Sequence, residues 1–128
     1  MRLRTLGLTV SLVFIVQAGT AAGVMAQNAA PAAVTPAAIA KGDSVFHKAG
    51  LCYACHGSNA QGAVGPNLTD AEWIHGDGSY EMIVATVTSG IPQEKAKGGV
   101  PMPPKGGSSI SEEEVKAVAA YVYSLSHK

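Results

Sequence analysis

The sequence of 128 residues predicts a mostly α-helical fold, on three observations. Three segments place a helix-capping residue directly before apolar residues at helical spacing, which is typical of helix N-termini. No segment shows the alternation of apolar and polar residues that is typical of a half-buried strand. Segments rich in Gly and Pro separate the helical ones, and a chain of this length holds one small domain.

The first 26 residues have the layout of a secretory signal peptide. Two arginines lie among the first four residues, an apolar run covers residues 5–16, and Val24 and Ala26 stand at −3 and −1 of a cut before Gln27. An uncleaved membrane anchor is the alternative, because residues 6–26 carry no charge and are long enough to span a bilayer. Cleavage is favoured because the strongly apolar part covers only about 12 residues. In either case, the rest of the chain is expected to be exported to the periplasm.

Residues 27–35 are uncharged and rich in Ala and Pro, which predicts a disordered tether. Thr35 then caps the first helix, with Pro36 at the first helical position, where its missing N–H costs nothing. Gly50 is expected to end this helix in the left-handed conformation. The folded domain is therefore predicted to span residues 36–128.

Two further helices are predicted on either side of a long loop. Ser79 caps a helix that covers residues 80 to about 88. Residues 91–109, rich in Gly and Pro, form a loop long enough to suggest that it wraps a ligand. A capping box begins at Ser111 and starts the last helix. The apolar residues on one face of that helix are Val115, Val118, Ala119, Val122 and Leu125.

Charge and composition exclude one class of function. The whole chain has 9 Lys and Arg against 9 Asp and Glu, and residues 27–128 contain no arginine. Nucleic-acid binding relies on basic patches that contact phosphates, so no nucleic-acid partner is expected. Large apolar residues are also few for a domain of this size, and small domains often need a bound group to complete their core.

Both cysteines of the chain lie in one motif, Cys52-x-x-Cys55-His56, which is the attachment signature of c-type haem. Its spacing lets two thiols bond the two vinyl groups while the imidazole of His56 reaches the iron. Three alternatives remain open: a thioredoxin-like dithiol, a structural zinc site and a plain disulfide. The first needs a β-sheet, the second needs four ligands, and the third closes a loop too short to stabilise much. Haem is therefore favoured.

Gly42 and Phe46 in the first helix, together with Val118 and Tyr121 in the last, resemble the small and aromatic residues at the helix crossing of class I cytochromes c. The resemblance extends from Gly42 to the C-terminus. It implies an all-α, class I cytochrome c fold, with three to four helices around one covalently bound haem. Residues 66–76 are most similar to the cytochrome domains of the cbb3-type oxidase diheme subunit. That subunit carries two attachment motifs, whereas this chain has one.

The same resemblance implies a set of residues around the haem. Cys52 and Cys55 carry the haem, and His56 binds its iron from one side. The carbonyl of Pro66 accepts a hydrogen bond from the Nδ1–H of His56, which fixes the ring and raises its basicity. Met102 lies in a Met-Pro-Pro-Lys-Gly segment similar to the M-P-x-x-G segment of the family, which brings the sixth ligand.

Four other residues receive an interpretation from the sequence. In a domain without arginine, neutral donors or lysines are expected at the haem propionates, and the candidates are the indole N–H of Trp73 and the imidazole of His75. His75 is also the alternative candidate for the sixth ligand, which would give an iron bound by two histidines. Met82 lies inside the second predicted helix and is interpreted as core packing. His47, on the first helix, is interpreted as a solvated surface residue.

A haem held by His and Met leaves no open position, so the predicted function is the transfer of single electrons between redox protein partners, without catalysis. A dedicated haem subunit of a larger oxidase or dehydrogenase is the alternative, and an open-site enzyme or gas binder is the third. Contact with the membrane is expected only through an N-terminal anchor. Lys95, Lys97 and Lys105 lie near the expected haem edge, where they either steer a negatively charged partner or merely solubilise a loop.

Overall fold

The computed structural model describes residues 30–97 and 99–128, and within them the fold is all-α, as predicted. Four helices follow one another along the chain: α1 (Pro36–His47), α2 (Tyr53–His56), α3 (Tyr80–Ser89) and α4 (Glu112–Ser126). Two 3-10 turns, Gln93–Lys95 and Pro104–Gly107, lie in the loop between α3 and α4. The described residues contain no sheet, only an isolated antiparallel bridge between Ile91 and Met102.

The segment before α1 is described in part. The predicted signal peptide, residues 1–26, and the first residues of the tether, 27–29, lie outside the described residues. Residues 31–34 form a turn, in which the N–H of Val34 donates to the carbonyl of Pro31 at 2.8 Å. Val34 also packs, half-buried, against the core, so contacts with the domain begin just before α1. In the part of the chain that is described, no helix is long and apolar enough to cross a membrane.

The three predicted helix N-termini are confirmed by their capping hydrogen bonds. Thr35 Oγ1 and Ser79 Oγ each accept the backbone N–H three residues later, at 3.1 and 3.3 Å. Ser111 Oγ accepts the N–H of Glu114 at 3.2 Å, and the Glu114 carboxylate accepts the N–H of Ser111 at 2.8 Å. Each cap satisfies backbone donors that the first turn of a helix leaves unpaired.

The C-terminal end of α1 differs from the prediction. Gly50 is not the left-handed residue; Leu51 is, with φ of 54°. Gly50 is required for space instead, because a Cβ there would lie 2.9 Å from the carbonyl oxygen of Val45 and 3.1 Å from Sγ of Cys52. Its N–H donates to the same Val45 carbonyl at 2.8 Å. The chain therefore turns tightly from α1 into the cysteine motif.

Helices α1 and α4 cross at a glycine. A Cβ on Gly42 would lie within 3 Å of atoms of both Ala117 and Tyr121 on α4, so only glycine fits between the helices. Next to it, the fully buried ring of Phe46 meets the ring of Tyr121 edge to face, with 5.4 Å between the centroids. Val118 is buried in the same core. The crossing expected from the resemblance is present, and it joins the first helix of the domain to the last.

Candidate haem site

A cavity of about 330 Å³ lies between α1, α3, α4 and the loops that connect them. Its volume is within the usual range of small-ligand and cofactor sites. Apolar side chains form much of its wall, among them Phe46, Ile83, Val87, Val118 and Val122. The residues predicted to bind the cofactor all line it: Cys52, Cys55, His56, Pro66, Trp73 and Met102. The structure thus brings these residues together from distant parts of the sequence, while their individual roles stay predictions.

His56 is a buried polar residue of the cavity with a fixed orientation. It lies at the end of α2, is buried, and its Nδ1–H donates to the carbonyl of Pro66 at 2.9 Å. Because Nδ1 is engaged, Nε2 is the ring nitrogen left to bind a metal. A Cβ on Gly65 would lie 2.9 Å from Cε1 of His56, so the Gly65 backbone packs directly against the ring. The loop that follows the motif therefore sets the orientation of this imidazole.

Cys55 lies within the single helical turn of α2, and Cys52 directly precedes that turn. Cys52 is half-buried and Cys55 is exposed. Burial raises the pKa of the Cys52 thiol to about 11. A thioredoxin-like dithiol needs a thiol whose pKa is lowered, so that it is a thiolate near neutral pH. The raised pKa, and a fold that is helical throughout residues 30–97 and 99–128, argue against that alternative.

Met102 is held in place by backbone pairing. The N–H of Met102 donates to the carbonyl of Ile91 at 2.9 Å, and the N–H of Ile91 donates back to the carbonyl of Met102 at 2.7 Å. Gly90 precedes this bridge with φ of 68°, and a Cβ there would collide with the Met102 carbonyl and lie 2.7 Å from the nitrogen of Pro104. The bridge to Ile91, together with the flanking prolines, keeps the half-buried Met102 at the cavity.

Met82 is not a core residue, so that prediction is wrong. Its side chain is 38% exposed and lines the same cavity as Met102. On α3 the next residue, Ile83, faces the core, and Met82 turns instead towards the loop at Gly76. A Cβ on Gly76 would lie 2.6 Å from Cε of Met82. The cavity therefore has two methionines, and any assignment of an axial ligand must be tested against both.

Trp73 and His75 are both half-buried and both line the cavity. The indole of Trp73 packs on Gly78, which has φ of 75° and where a side chain would collide with Nε1. Of the residues that the structure describes, no lysine lines the cavity. The cavity therefore offers neutral donors, rather than lysines, to the propionates.

The three lysines near the expected haem edge do not form one charged surface. Lys95 and Lys97 are exposed. Lys105 is half-buried, and its ammonium group donates to the carbonyl of Ile110 at 2.8 Å. Lys105 also has φ of 54°, in the left-handed region. The steering hypothesis is therefore left with Lys95 and Lys97.

His47 is 35% exposed, and its ring also makes specific contacts that its interpretation as a solvated surface residue does not include. Its Nδ1 lies 2.9 Å from the carbonyl oxygen of Asp43, and its Nε2 lies 2.7 Å from the carbonyl oxygen of Ser58. The ring also stands edge-on to the rings of Phe46 and Tyr121. The Ser58 contact joins α1 to the loop after the cysteine motif. No local signal in the sequence reveals it, because the two residues are 11 positions apart.

The residues of the cavity fit a covalently attached haem. Two thiols stand on one turn of helix, the adjacent imidazole has one nitrogen fixed, and a thioether lies on a separate loop. An imidazole and a thioether are ligands for haem iron, whereas a hard cation requires oxygen ligands. The apolar walls suit the porphyrin ring, because they exclude water from the metal.

Comparisons with known proteins agree with this fit. Residues 37–122 match the model of a protein family described as cytochrome c oxidase, cbb3-type, subunit III. The cbb3-type cytochrome c oxidase subunit CcoP of Rubrivivax gelatinosus is 41% identical over 103 residues, which cover 80% of this chain and 31% of that protein. Subunit FixP of Bradyrhizobium sp. (strain ORS 278) is 40% identical over 90 residues, which cover 68% of this chain and 30% of that protein. The chain thus spans about a third of the length of these relatives.

Solved structures share the fold. The crystal structure of cytochrome cL from Methylophaga aminisulfidivorans aligns with a TM-score of 0.57 and 24% identity, over 73% of this chain and 57% of that chain. A chain of the Kuenenia stuttgartiensis reducing HAO-like protein complex aligns with a TM-score of 0.55 and 20% identity, over 72% of this chain and 45% of that chain. At these identities the likeness concerns the fold alone.

Proposed function

Because the chain belongs to the cytochrome c oxidase, cbb3-type, subunit III family, with the class I cytochrome c fold and haem c as its cofactor, we propose that it transfers single electrons between redox protein partners. The observation that carries the proposal is the apolar cavity lined by both the cysteine motif and Met102. Haem c supplies one-electron chemistry at its iron, and the protein sets the potential through ligands, burial and hydrogen bonds.

The cysteine motif holds the cofactor in this proposal. Cys52 and Cys55 would bind it through thioether bonds, and Nε2 of His56 would bind its iron. The Pro66 carbonyl, 2.9 Å from Nδ1, holds the imidazole in one orientation. Trp73, which also lines the cavity, would offer a neutral N–H to a propionate.

Met102 would supply the second protein ligand of the iron. Its backbone is fixed by the pair of hydrogen bonds to Ile91, which a ligand on a loop needs if it is to stay in position. A thioether in the sixth position closes the iron to small molecules and raises the potential. A closed site supports electron transfer without catalysis.

The proposed docking face surrounds the cavity. Exposed apolar side chains line the cavity, among them Leu51, 49% exposed, Val64, 61% exposed, and Val100, 48% exposed. Redox partners usually meet over small, transient interfaces. The exposed Lys95 and Lys97 precede Val100 in the chain and favour a negatively charged partner.

The proposal includes a location and a domain organisation. Residues 1–26 direct export to the periplasm or anchor the chain in the membrane, residues 27–35 are the tether, and residues 36–128 are the haem domain. A dedicated haem subunit of a larger oxidase is the second candidate function, favoured because the similar relatives carry the name of a cbb3-type oxidase subunit. Co-purification with a catalytic subunit from native membranes supports the second candidate, and its absence supports the free electron carrier.

Exchange of each methionine tests the proposed ligand set. In the oxidised wild type we expect the weak far-red band of a sulfur–iron bond. Met102→Ala is expected to abolish this band, lower the reduction potential and allow the ferrous protein to bind CO. Met82→Ala is the matched control, because Met82 lines the same cavity. This control is expected to keep the band.

Two results would contradict the proposal. Loss of the band in Met82→Ala, with the band intact in Met102→Ala, would show that the sulfur ligand is Met82, on α3, and not Met102. Ready binding of CO by the wild-type ferrous protein would replace the closed-site carrier with an open-site enzyme or gas binder.

A further inference from the structure

We propose that His47 is a positioning residue: in its protonated form it fastens the backbone directly after the haem-attachment motif to α1, and it loosens this attachment when it loses its proton. The proposal rests on the proposed attachment of haem at Cys52, Cys55 and His56. It adds a residue, remote from the iron, that acts on His56 through the intervening loop.

The contacts of the His47 ring carry the first step. Nδ1 lies 2.9 Å from the carbonyl oxygen and 3.0 Å from the carboxylate of Asp43, and Nε2 lies 2.7 Å from the carbonyl oxygen of Ser58. All of these partners are acceptors. A neutral imidazole has only one N–H, whereas the imidazolium has two. Only protonated His47 can therefore donate to Asp43 and Ser58 at the same time.

The ring is held by packing as well as by hydrogen bonds. It stands edge-on to Phe46, with 5.1 Å between the ring centroids, and to Tyr121 on α4, with 6.2 Å between them. The side chain is still 35% exposed, so solvent protons reach it. His47 therefore has a fixed position between α1, α4 and the loop, and it can titrate without unfolding.

The charges around His47 favour the protonated form. The titratable groups that face it are Asp43 on α1 and Tyr121 on α4, and residues 57–69 of the loop carry no charged side chain. The hydrogen bond to Ser58, followed by those to Asp43, raises the pKa of His47 above its ordinary value of 6.5. Burial and the nearby Asp43 raise the pKa of Tyr121, so this phenol stays neutral while His47 titrates.

The loop connects Ser58 to the proposed iron ligand. Ser58 is two residues beyond His56, and the loop folds back on the motif, where the N–H of Gly62 donates to the carbonyl of His56 at 2.8 Å. The N–H of Gly65 donates to the carbonyl of Cys55 at 2.8 Å, and Gly65 itself packs on the His56 ring. A fixed Ser58 carbonyl therefore restricts the segment that orients the imidazole.

The sign of the pH effect follows from the raised pKa. A group whose folded pKa lies above its unfolded pKa stabilises the fold fully below the unfolded value. For His47 this stabilisation is present below about pH 6.5 and is lost as the pH rises through the raised folded value. Loss of the positive charge also favours ferric iron, so the potential is expected to fall over the same pH range.

Nuclear magnetic resonance of the reduced holoprotein tests the proposal directly and needs no variant. The His47 ring signals are expected to titrate with a midpoint above 6.5, and the amide signals of Ser58 and Asn59 are expected to shift with the same midpoint. Asp43→Asn should lower that midpoint while it leaves the Ser58 contact in place. A midpoint at or below 6.5, or loop amides that do not follow the ring, would overturn the proposal.

A pair of histidine variants tests the link to haem. His47→Gln stays neutral at every pH, and His127→Gln, at the exposed end of α4, is the matched control. The wild type and His127→Gln are expected to show a fall in unfolding midpoint and in reduction potential as the pH rises through the His47 transition. In His47→Gln, neither the unfolding midpoint nor the reduction potential is expected to fall over this pH range. Equal pH profiles in all three proteins would overturn the proposal. Absence of the far-red band from the oxidised wild type would instead contradict the proposed function.

Discussion

Gly42→Ala tests whether the crossing of α1 and α4 limits the stability of the domain. In an isolated helix this change is favourable by about 1 kcal/mol, because alanine has the higher helix propensity. At the crossing, however, the new methyl group would collide with the carbonyl oxygen of Ala117, and it would stand 2.6 Å from the carbonyl carbon of Ala117 and 2.8 Å from Cβ of Tyr121. None of these atoms is the end of a flexible side chain.

The expected magnitude follows from those two distances. Carbon atoms in contact stand at least about 3.5 Å apart, so the two atoms must retreat by about 0.9 and 0.7 Å. Overpacking of this kind costs about 1–3 kcal/mol, and the rigid backbone of α4 places this case at the upper end. After the gain in propensity is subtracted, we expect a net loss of about 2 kcal/mol. For a domain of this size, that loss lowers the Tm by roughly 8–16 °C.

Thermal unfolding of the holoprotein, followed by circular dichroism, measures this loss. Ala40→Gly, on the exposed side of α1, is the control, because it changes propensity in the opposite direction without touching α4. We expect it to lose about 1 kcal/mol. A Tm for Gly42→Ala equal to or above that of the wild type would refute the argument that the glycine is required for close packing.

Three more changes test other parts of the domain. Gly90→Ala is expected to weaken the far-red band, because its methyl group would displace the Met102 backbone, whereas Gly99→Ala, with φ of 80° but open space around it, should keep the band. Ser111→Ala should lower the free energy of unfolding in urea by about 1 kcal/mol, since it removes the cap of α4, and a loss as large in Ser109→Ala would contradict this assignment. Hydrogen bonds from Ser111 lower the pKa of Glu114, so its stabilisation is present above its ordinary value of 4.5 and is lost as the pH falls through the folded value. Below pH 4.5, the free energy of unfolding should therefore depend less on pH in Glu114→Gln than in Glu112→Gln.

The helices could be predicted from the sequence because their signals are local. Each capping residue and the backbone N–H that donates to it lie three positions apart, so the pattern that predicts the helix is also the contact that starts it. The same holds for the cysteine motif, whose spacing fits one turn of helix. By contrast, the left-handed Leu51 depends on how Gly50 packs against Val45, which the residue types alone do not reveal.

The sequence patterns miss contacts of three residues near the site. His47 is held by Ser58 and Tyr121, and Met82 is turned towards Gly76 by the cavity rather than by the pattern of α3. Lys105 reaches the Ile110 carbonyl because of a left-handed backbone that lysine rarely adopts. In each case a tertiary contact decides the role, and a sequence pattern predicts only the average behaviour of its residue type.

The crossing of α1 and α4 also affects the order in which the chain can fold. Gly42 and Ala117, which meet at the crossing, are 75 positions apart, so this contact cannot form until the C-terminal helix has been made. At about 5–20 residues per second, synthesis of the intervening segment takes roughly 4–15 s. Closing so long a loop also slows folding, because its entropy must be lost before the contact forms. Until the crossing forms, Cys52, which is half-buried in the folded domain, stays open to solvent beside the exposed Cys55.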